Sequence, residues 1–325
     1  MMNCKTYYIT RGDTIIFAPD FNDVLSTSII YKYTKLVFSN YKLEYRLFKV
    51  YENENNHIDI DVNYVYSNFN HNVDNLPSTI TYIFFSDYFN HMIDNLPLNL
   101  TYLTLGTYFN QEVNNLPLNL THLTFGTFFN KPINNLPQIL THLTLGTYFN
   151  QEINNLPQNL THLTTGIRFN QEVNNLPQSL THLTFNKNFD QEVNNLPKNL
   201  THITFGHNYD KVVNNLPMRI IYLKLHHSNQ SIVDNLPESV EELELSSNFN
   251  SELNNLPSSV RKLTFNSHNY TKELNCLPNS IEFLQLPRNY DKKIMQIPSG
   301  LKKIICGENY KYVKDFVNCD VKYHE

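Results

Sequence analysis

The sequence predicts a repeat solenoid: a curved parallel β-sheet of about 13 strands, joined by short convex segments in extended or turn conformation, with little α-helix. Three observations predict it: a proline that recurs at a fixed interval, an alternation of apolar residues after each proline, and a near-absence of alanine. The 325 residues include one alanine, Ala18, so the chain lacks the best helix former. Hydrophobic residues still make up 41% of the chain, which is enough to build an extended core.

The prolines define the repeat. Twelve of the fifteen recur every twenty residues, each after a leucine or isoleucine, with one step of twenty-one between Pro257 and Pro278. A fixed period of roughly 20 to 50 residues is typical of stacked units in one elongated domain. The twelve are Pro77, Pro97, Pro117, Pro137, Pro157, Pro177, Pro197, Pro217, Pro237, Pro257, Pro278 and Pro298.

Residues 116–135 illustrate how one interval is filled. Leu123 and Phe125 alternate with His122 and Thr124, which is the pattern of a strand with one buried face. The histidine and the threonine are therefore expected to face solvent. Because a single repeat cannot bury its apolar face alone, stacking of neighbouring repeats has to bury it.

The segment that returns to the next strand is expected to be extended or turned. Phe129 and Ile133 supply buried anchors, and the segment is too short and too rich in asparagine for a stable helix. Pro117 biases the residue before it to extended geometry. Gly126 ends the strand in a register that six of the eight glycines share, which predicts a positive φ or a close approach of the next turn.

Ten asparagines occupy a single register of the repeat. We expect their side chains to face inward and to bond backbone groups of their own and adjacent turns, which is a structural role. They are Asn75, Asn95, Asn115, Asn135, Asn155, Asn175, Asn195, Asn215, Asn235 and Asn255.

Charge and composition narrow the possible partners and compartments. A net charge of −5 and a pI near 6.2 provide no basic surface for nucleic acid. Residues 1–8 lack the apolar run of a signal peptide, and no segment approaches the ~18 apolar residues of a membrane span. The four cysteines show no close pairing of the metal-binding type. We therefore expect an intracellular, cytoplasmic protein that binds neither nucleic acid nor membrane.

Two known repeats resemble these units. The segment 240–248 reads as L-x-x-L-x-L-x-x-N, the strand-and-turn signature of leucine-rich repeats. The central units, with Phe-Asn, then Val-Asn-Asn-Leu-Pro, then Leu-Thr-His-Leu-Thr-Phe-Gly, resemble more narrowly the FNIP repeats of social amoebae and giant viruses. This resemblance covers roughly Phe69 to Tyr310. If the chain is viral, the host cytoplasm is the expected compartment.

The repeat pattern also sets the expected boundaries. Residues 59–306 form the FNIP- or leucine-rich-repeat-like units, and 1–58 form an irregular N-terminal cap. A Phe-Asn pair at 21–22 suggests that this cap includes a degenerate repeat. Residues 307–325 form the C-terminal cap, because the ends of a solenoid have to cover an exposed core.

Function is expected to lie in binding. No nucleophile–base set stands out and glycine is too scarce for a phosphate loop, so we expect no enzyme and no cofactor. A protein–protein interaction scaffold that uses the concave face is the favoured hypothesis, with an unknown protein as partner. One alternative is a substrate-recognition adaptor for ubiquitination, because FNIP proteins sometimes carry an N-terminal F-box. Residues 7–33 show no clear helical period, so no clear F-box is expected.

The second alternative is a metal- or pH-responsive surface built from histidines on the strands. Neighbours about 5 Å apart could share a divalent metal or titrate together. Zinc requires ligands that converge on one point, so stacked neutral imidazoles are favoured, with no metal ligands assigned. Charging them all would place like charges side by side and weaken the sheet below about pH 6. The histidines are His122, His142, His162, His182 and His202.

Towards the C-terminus charges replace the Thr/His pattern. Glu242, Glu244 and Lys262 form either a solvated surface or a docking surface, and charge reversal at the two glutamates is expected to weaken capture of a partner. No catalytic residue is predicted. The candidate partner-binding face comprises His122, His142, His162, His182, His202, Tyr222, Glu242, Glu244 and Lys262.

Overall fold

The chain divides into two compact units, Met1–Leu160 and Thr161–Glu325. Residues 1–7 and 40–58 of the predicted N-terminal cap lie outside the described residues. The side chain of Ser247 also lies outside the described part of the chain. The computed structural model describes residues 8–39, 68–85, 87–213, 215–267, 270–317 and 319–324.

In its described part, the first unit is a stack of short strands. An antiparallel hairpin opens it, and from the second strand onward each strand pairs in parallel with the next. One helical turn, α1 (Thr27–Ile30), lies between the second and third strands. The strands are β1 (Tyr8–Arg11), β2 (Thr14–Phe17), β3 (Lys35–Phe38), β4 (Tyr82–Phe84), β5 (Tyr102–Thr104), β6 (His122–Thr124) and β7 (His142–Thr144).

The second unit repeats this arrangement with parallel strands throughout. A five-residue helix, α2 (Gln230–Asp234), and a 3-10 turn at Val313–Asp315 lie between strands. The strands are β8 (His162–Thr164), β9 (His182–Thr184), β10 (His202–Phe205), β11 (Tyr222–His227), β12 (Glu242–Asn248), β13 (Lys262–Asn266), β14 (Phe283–Gln285), β15 (Lys303–Cys306) and β16 (Asp320–Tyr323).

Neighbouring strands pair in register at the repeat interval. His182 lies beside His202, and Glu242 lies beside Lys262, twenty residues further on. The step lengthens to twenty-one where Lys262 pairs with Phe283, in the repeat that also has the longer interval between prolines. The predicted fold class, a solenoid of stacked parallel strands with little helix, is confirmed for the described part of each unit.

Two hydrogen-bonded turns bend each repeat. The carbonyl of Pro117 accepts a bond from the N–H of Leu120 at 3.1 Å, immediately before the strand. The carbonyl of Gly126 accepts one from Phe129 at 3.3 Å, just after the strand. The segments between strands are therefore turns and extended chain, as predicted from their proline and asparagine content.

Side chains of one type stack in columns inside each unit. In the first unit Phe89, Phe109, Phe129 and Phe149 are fully buried, and neighbouring rings lie 6.0–6.1 Å apart with nearly parallel planes. In the second unit Phe189 stacks on its neighbours in the same manner. Burial of each such ring contributes roughly 1.5–3 kcal/mol before conformational entropy is counted.

The glycine register reflects close approach between turns. A Cβ atom added to Gly146 would overlap the carbonyl oxygen of Gly126, and one added to Gly126 would overlap that of Gly106. Positive φ is not the reason, because Gly12 is the glycine with positive φ among the described residues. The backbone of each turn thus packs directly on the preceding turn.

The predicted inward column of asparagines is wrong. All ten of its members are exposed, because they lie in the turn before each Leu-Pro pair. The Phe-Asn asparagines bond the backbone instead. The Oδ1 atom of Asn90 accepts from the N–H of Asn110 at 2.9 Å, and Asn110 accepts from Asn130 at 3.0 Å. Asn22 accepts likewise from Asn70, so the pair at 21–22 joins the same ladder.

We predict that Gly146→Ala destabilises the protein by about 1–3 kcal/mol, because the new methyl group meets a backbone carbonyl that cannot rotate away. Free energies of unfolding from urea titrations would measure the loss. Gln138→Ala, at an exposed turn position, is the matched control. Equal stability of G146A and wild type would contradict the close-approach explanation.

One pair of variants tests the different roles of the asparagine registers that contain Asn110 and Asn115. Asn110→Ala removes the acceptor for the N–H of Asn130, and we expect a loss of about 1 kcal/mol. Asn115→Ala removes an exposed side chain that bonds Asp94, and we expect a change within about 0.5 kcal/mol. The same unfolding titration measures both. Similar losses in the two variants would be incompatible with the ladder described above.

Candidate functional site

The predicted site residues lie on the outward-facing side of the strands, termed the strand face. His122 and His142 lie on it in the first unit. In the second unit the strand face consists of two registers of outward-facing residues. The second register lies two residues further along each strand and contains Glu244. The first register consists of His162, His182, His202, Tyr222, Glu242 and Lys262.

The imidazole rings of this face stack on one another. The centroids of His122 and His142 are 4.1 Å apart and their planes differ by 12°. In the second unit the separations are 4.1 Å for His162 and His182 and 4.2 Å for His182 and His202, with planes within 13°. Tyrosines flank them: Tyr102 stacks on His122 at 4.0 Å, and Tyr222 lies 5.7 Å beyond His202.

The threonine before each of these histidines holds the ring in place. The Oγ1 of Thr201 lies 2.9 Å from the Nδ1 of His202, and its hydroxyl also bonds the carbonyl of Thr181 at 3.1 Å. Thr121 makes the same two contacts with His122 and with the backbone of the preceding turn. These threonines were not predicted as site residues, although the recurring Thr-His dipeptide was visible in the sequence.

The stacked geometry does not favour a shared metal ion. Because neighbouring rings are within 13° of parallel, their Nε2 atoms point side by side, whereas zinc requires ligands that converge. Among the described residues, no group of three or more His, Cys, Asp or Glu side chains is placed to hold a metal.

Glu244 is the centre of a bonded cluster on the second-unit strand face. It lies 2.6 Å from the Nζ of Lys224, and it accepts bonds from the hydroxyl of Tyr222 at 2.6 Å and the amide of Asn266 at 2.8 Å. Burial alone raises the pKa of Glu244, but the bonds from Lys224, Tyr222 and Asn266 outweigh it, so the net pKa is lowered. Burial, together with the bond to Glu244, raises the pKa of Tyr222.

The predicted charges Glu242 and Lys262 are also paired, at 2.9 Å. Just before the strands of this unit, Glu282 contacts both Arg261 at 3.0 Å and Lys302 at 2.6 Å. Exposed pairs of this kind contribute little to stability. Charge reversal at Glu242 or Glu244 would disrupt these pairs as well as any partner contact, so it cannot distinguish the two effects.

A second histidine pair lies at the end of the strands. The rings of His207 and His226 are 4.2 Å apart, next to the irregularity between β11 and β12. The Nδ1 atom of His226 is buried without a hydrogen-bond partner in the described structure. Burial first, then the proximity of His207 and Lys224, lowers the pKa of His226 to about 4. Burial, followed by the positive charges of Lys187 and Lys224, lowers the pKa of His207. Burial also lowers the pKa of His142.

We predict that the protein loses stability as the pH falls from about 6.5 towards about 4, and that His226 is one cause. In this window the unfolded chain binds a proton that the folded chain excludes, because the pKa of His226 in the fold is about 4. His226→Phe should reduce the loss by on the order of 1 kcal/mol after solvent screening.

Urea unfolding at pH 7.5 and pH 5.0 measures the effect in both proteins. Wild-type protein that is equally stable at the two values would contradict the expected titration of the histidines. A pH dependence that is unchanged in H226F would exclude His226 as a cause.

Comparison with known proteins agrees with this architecture. A family profile described as FNIP Repeat matches 89–128, 109–148, 129–166, 149–188, 169–208, 192–228, 229–268 and 268–309. The crystal structure of CroV588, a giant-virus protein described as a novel circular LRR protein, is 35% identical to this chain with a TM-score of 0.75. The alignment covers 94% of this chain and 48% of CroV588, so this chain spans about half the length of that protein.

YopM from Yersinia enterocolitica WA-314 is 18% identical with a TM-score of 0.46, over 77% of this chain and 60% of its own. The comparison with curated proteins finds no match. Within the described residues, no helix has the length and apolar character needed to cross a membrane. Because the repeat profile matches well over half of the sequence, the chain belongs to the FNIP repeat family.

Proposed function

We propose that this protein is a non-enzymatic interaction scaffold whose strand face binds another protein. The observation that carries the proposal is that the side chains of this face are already held by bonds to their neighbours. Thr201 fixes the ring of His202, and Lys224 and Tyr222 fix the carboxylate of Glu244. Side chains that are ordered in advance lose little conformational freedom on binding, so more of the contact energy is retained.

The composition of the face suits a protein partner. In each unit it presents flat rings and hydroxyl groups in a regular array, and in the second unit it also carries paired charges. Interfaces between proteins are rich in tyrosine with a polar surround. Solenoid repeats commonly present such extended surfaces to partners. This face is therefore the proposed docking surface, with His122, His142, His162, His182, His202, Tyr222, Glu242, Glu244 and Lys262 as its candidate residues.

We also propose an intracellular, cytoplasmic location, in the host if the protein is viral. The free cysteines Cys276, Cys306 and Cys319 support it, since thiols persist in a reducing compartment. Adaptor function in ubiquitination is not favoured by any observation in residues 8–33, which form a hairpin and one helical turn.

The experiment compares partner capture by three forms of the protein from cell extract, read by quantitative mass spectrometry. One variant carries Thr164→Arg and Thr184→Arg, which add bulk and charge to outward-facing strand positions. The matched control carries Gln158→Arg and Gln178→Arg, which add the same charges at exposed turn positions. Unfolding titrations establish that both variants are folded.

We expect the wild type and the turn variant to recover the same partner and the strand-face variant to lose most of it. Equal recovery by the two variants, or the absence of any protein whose recovery depends on the strand face, would refute the proposal.

A further inference from the structure

The turns that follow the strands of the first unit carry a second set of stacked rings, outside the strand face. Each of these turns has a ring that is exposed or half-buried, next to the buried phenylalanine of the core stack. Neighbouring rings of the set have centroids 5.0–5.2 Å apart and planes within 19° of parallel. We term this set the aromatic row; it consists of Tyr88, Tyr108, Phe128 and Tyr148.

The fold does not require aromatic residues at this position. In the second unit the same turn position carries Arg168, Asn188 and Asn208, and the strands pair in register there as well. In the first unit 37% of the surface of Tyr108 and 39% of that of Phe128 remain exposed. A contiguous row of exposed rings that packing does not demand is typical of a binding surface.

The stacking decides which part of each ring a ligand can reach. Because the faces of Tyr108 and Phe128 partly cover one another, a ligand that lies along the row meets ring edges. Cations bind to ring faces, so the row does not favour them. The segments that flank the rings, 104–110, 124–130 and 144–150, contain no Asp, Glu, Lys or Arg. The surface therefore suits an uncharged ligand.

Hydroxyl groups accompany the rings. Thr127 and Thr147 immediately precede the last two rings of the row in the same turns, and both are half-buried. In the part of the chain that the structure describes, neither hydroxyl has a hydrogen-bond partner, whereas the hydroxyl of Thr107 donates to Asp87 at 2.6 Å. Two hydrogen-bond donors, one from each turn, are therefore available to a ligand.

These features distinguish between the conformations of a peptide ligand. In an α-helix the carbonyls point along the axis and accept bonds from within the helix, so few of them face a neighbouring surface. The side chains on one face of a β-strand recur every ~6.7 Å, which matches neither one step of the row nor two.

A polyproline II helix matches both features. It has no internal hydrogen bonds, so its carbonyls remain available to hydroxyl donors. Its residues i and i+3 lie about 9 Å apart on one side, and two steps of the row, from Tyr108 to Tyr148, span at most about 10 Å. Every third residue of such a helix can therefore meet the row in the same way.

The size of the row favours a short segment. Its three steps span about 15 Å, which a polyproline II helix covers with about five residues. The exposed parts of the rings amount to on the order of 300–400 Å². A stable interface between folded proteins buries roughly 800 Å² on each partner, so the row is too small for a folded domain or a second copy of this chain.

We propose that the aromatic row of the first unit binds a proline-rich segment in polyproline II conformation. Proline rings of the segment pack against the edges of the aromatic rings, and its carbonyls accept hydrogen bonds from Thr127 and Thr147. The row lies apart from the strand face, so this site goes beyond the scaffold function proposed above and does not depend on it.

The binding test uses a fluorescently labelled deca-proline peptide and purified protein, followed by anisotropy. A Gly-Ser decamer is the flexible control peptide, and an alanine-rich peptide is the helical one. One variant, Tyr108→Ser with Phe128→Ser, removes two rings of the row. Its matched control, Leu98→Ser with Leu118→Ser, removes two exposed apolar side chains from other turns of the same unit.

A second pair of variants tests the hydroxyl donors. Thr127→Val with Thr147→Val removes the hydroxyls and keeps the shape of the side chains, and the corresponding Thr→Ser changes retain them. Unfolding titrations establish that every variant is folded.

We expect the wild type, the leucine variant and the Thr→Ser variant to bind deca-proline alike. The ring variant should bind at least about tenfold more weakly, and the valine variant roughly three- to tenfold more weakly. Absence of binding to the wild type, equal affinity of wild type and Y108S/F128S, or equally tight binding of either control peptide would overturn the inference. Unchanged affinity of the valine variant would overturn the assignment of the two hydroxyls.

Amide chemical-shift changes during titration of the wild type with deca-proline locate the site without any variant. Changes are expected in the turns at 106–108, 126–128 and 146–148, and changes confined to the strand face would overturn the inference. The strand-face variant with Thr164→Arg and Thr184→Arg should bind deca-proline like the wild type. Failure of this inference and failure of the proposed function therefore remain distinguishable, because each is measured on a different surface.

Discussion

The register between neighbouring parallel strands is the constraint on which the rest of each unit depends. In the regular repeats of each unit a strand residue lies beside the residue twenty positions away, so a side chain there packs mainly against side chains of its own type. Residue types that pack well against themselves are therefore suited to each column. Phenylalanine rings stack in parallel, and glycine beside glycine lets the backbones of successive turns touch. Where the interval grows to twenty-one, the pairing moves by the same single residue.

The same register satisfies polar groups one turn at a time. The hydroxyl of Thr181 bonds a carbonyl of the preceding turn, and the amide oxygen of Asn110 bonds an N–H of the following turn. Because the threonines that make these bonds also contact the histidine rings, the outward-facing rings are held in fixed positions. The pattern changes near His226, where the strands lengthen, a register irregularity follows Leu225 and a short helix begins after Asn229. The charged cluster around Glu244 starts at this same place, so the change in surface chemistry accompanies a change in backbone geometry.

The columns could be predicted from sequence because their period and apolar content are visible in the chain. The strand positions, the buried anchor at Phe129 and the turns followed from the alternation around Leu123 and from the prolines. The asparagines could not be assigned in this way, since several asparagine registers share one period, and only the backbone path decides that Asn110 bonds the neighbouring turn's backbone while Asn115 is exposed on a turn. The histidine face was predicted, but the threonine contacts that hold its rings were not, because they depend on the backbone path between neighbouring turns. The network around Glu244 also required the structure, since Tyr222, Lys224 and Asn266 come from three different strands.

Amide hydrogen exchange tests the central claim, that each turn is held by the same bonds at each step of the register. Exchange rates resolved by residue, or by short overlapping peptides, would show a protection pattern with the period of the repeat. The account predicts slow exchange both in strand residues such as Leu123 and at Asn110 and Asn130, whose N–H groups bond asparagine side chains of the preceding turn. Slow exchange in the strands with fast exchange at the Phe-Asn asparagines, or protection without the repeat period, would contradict it.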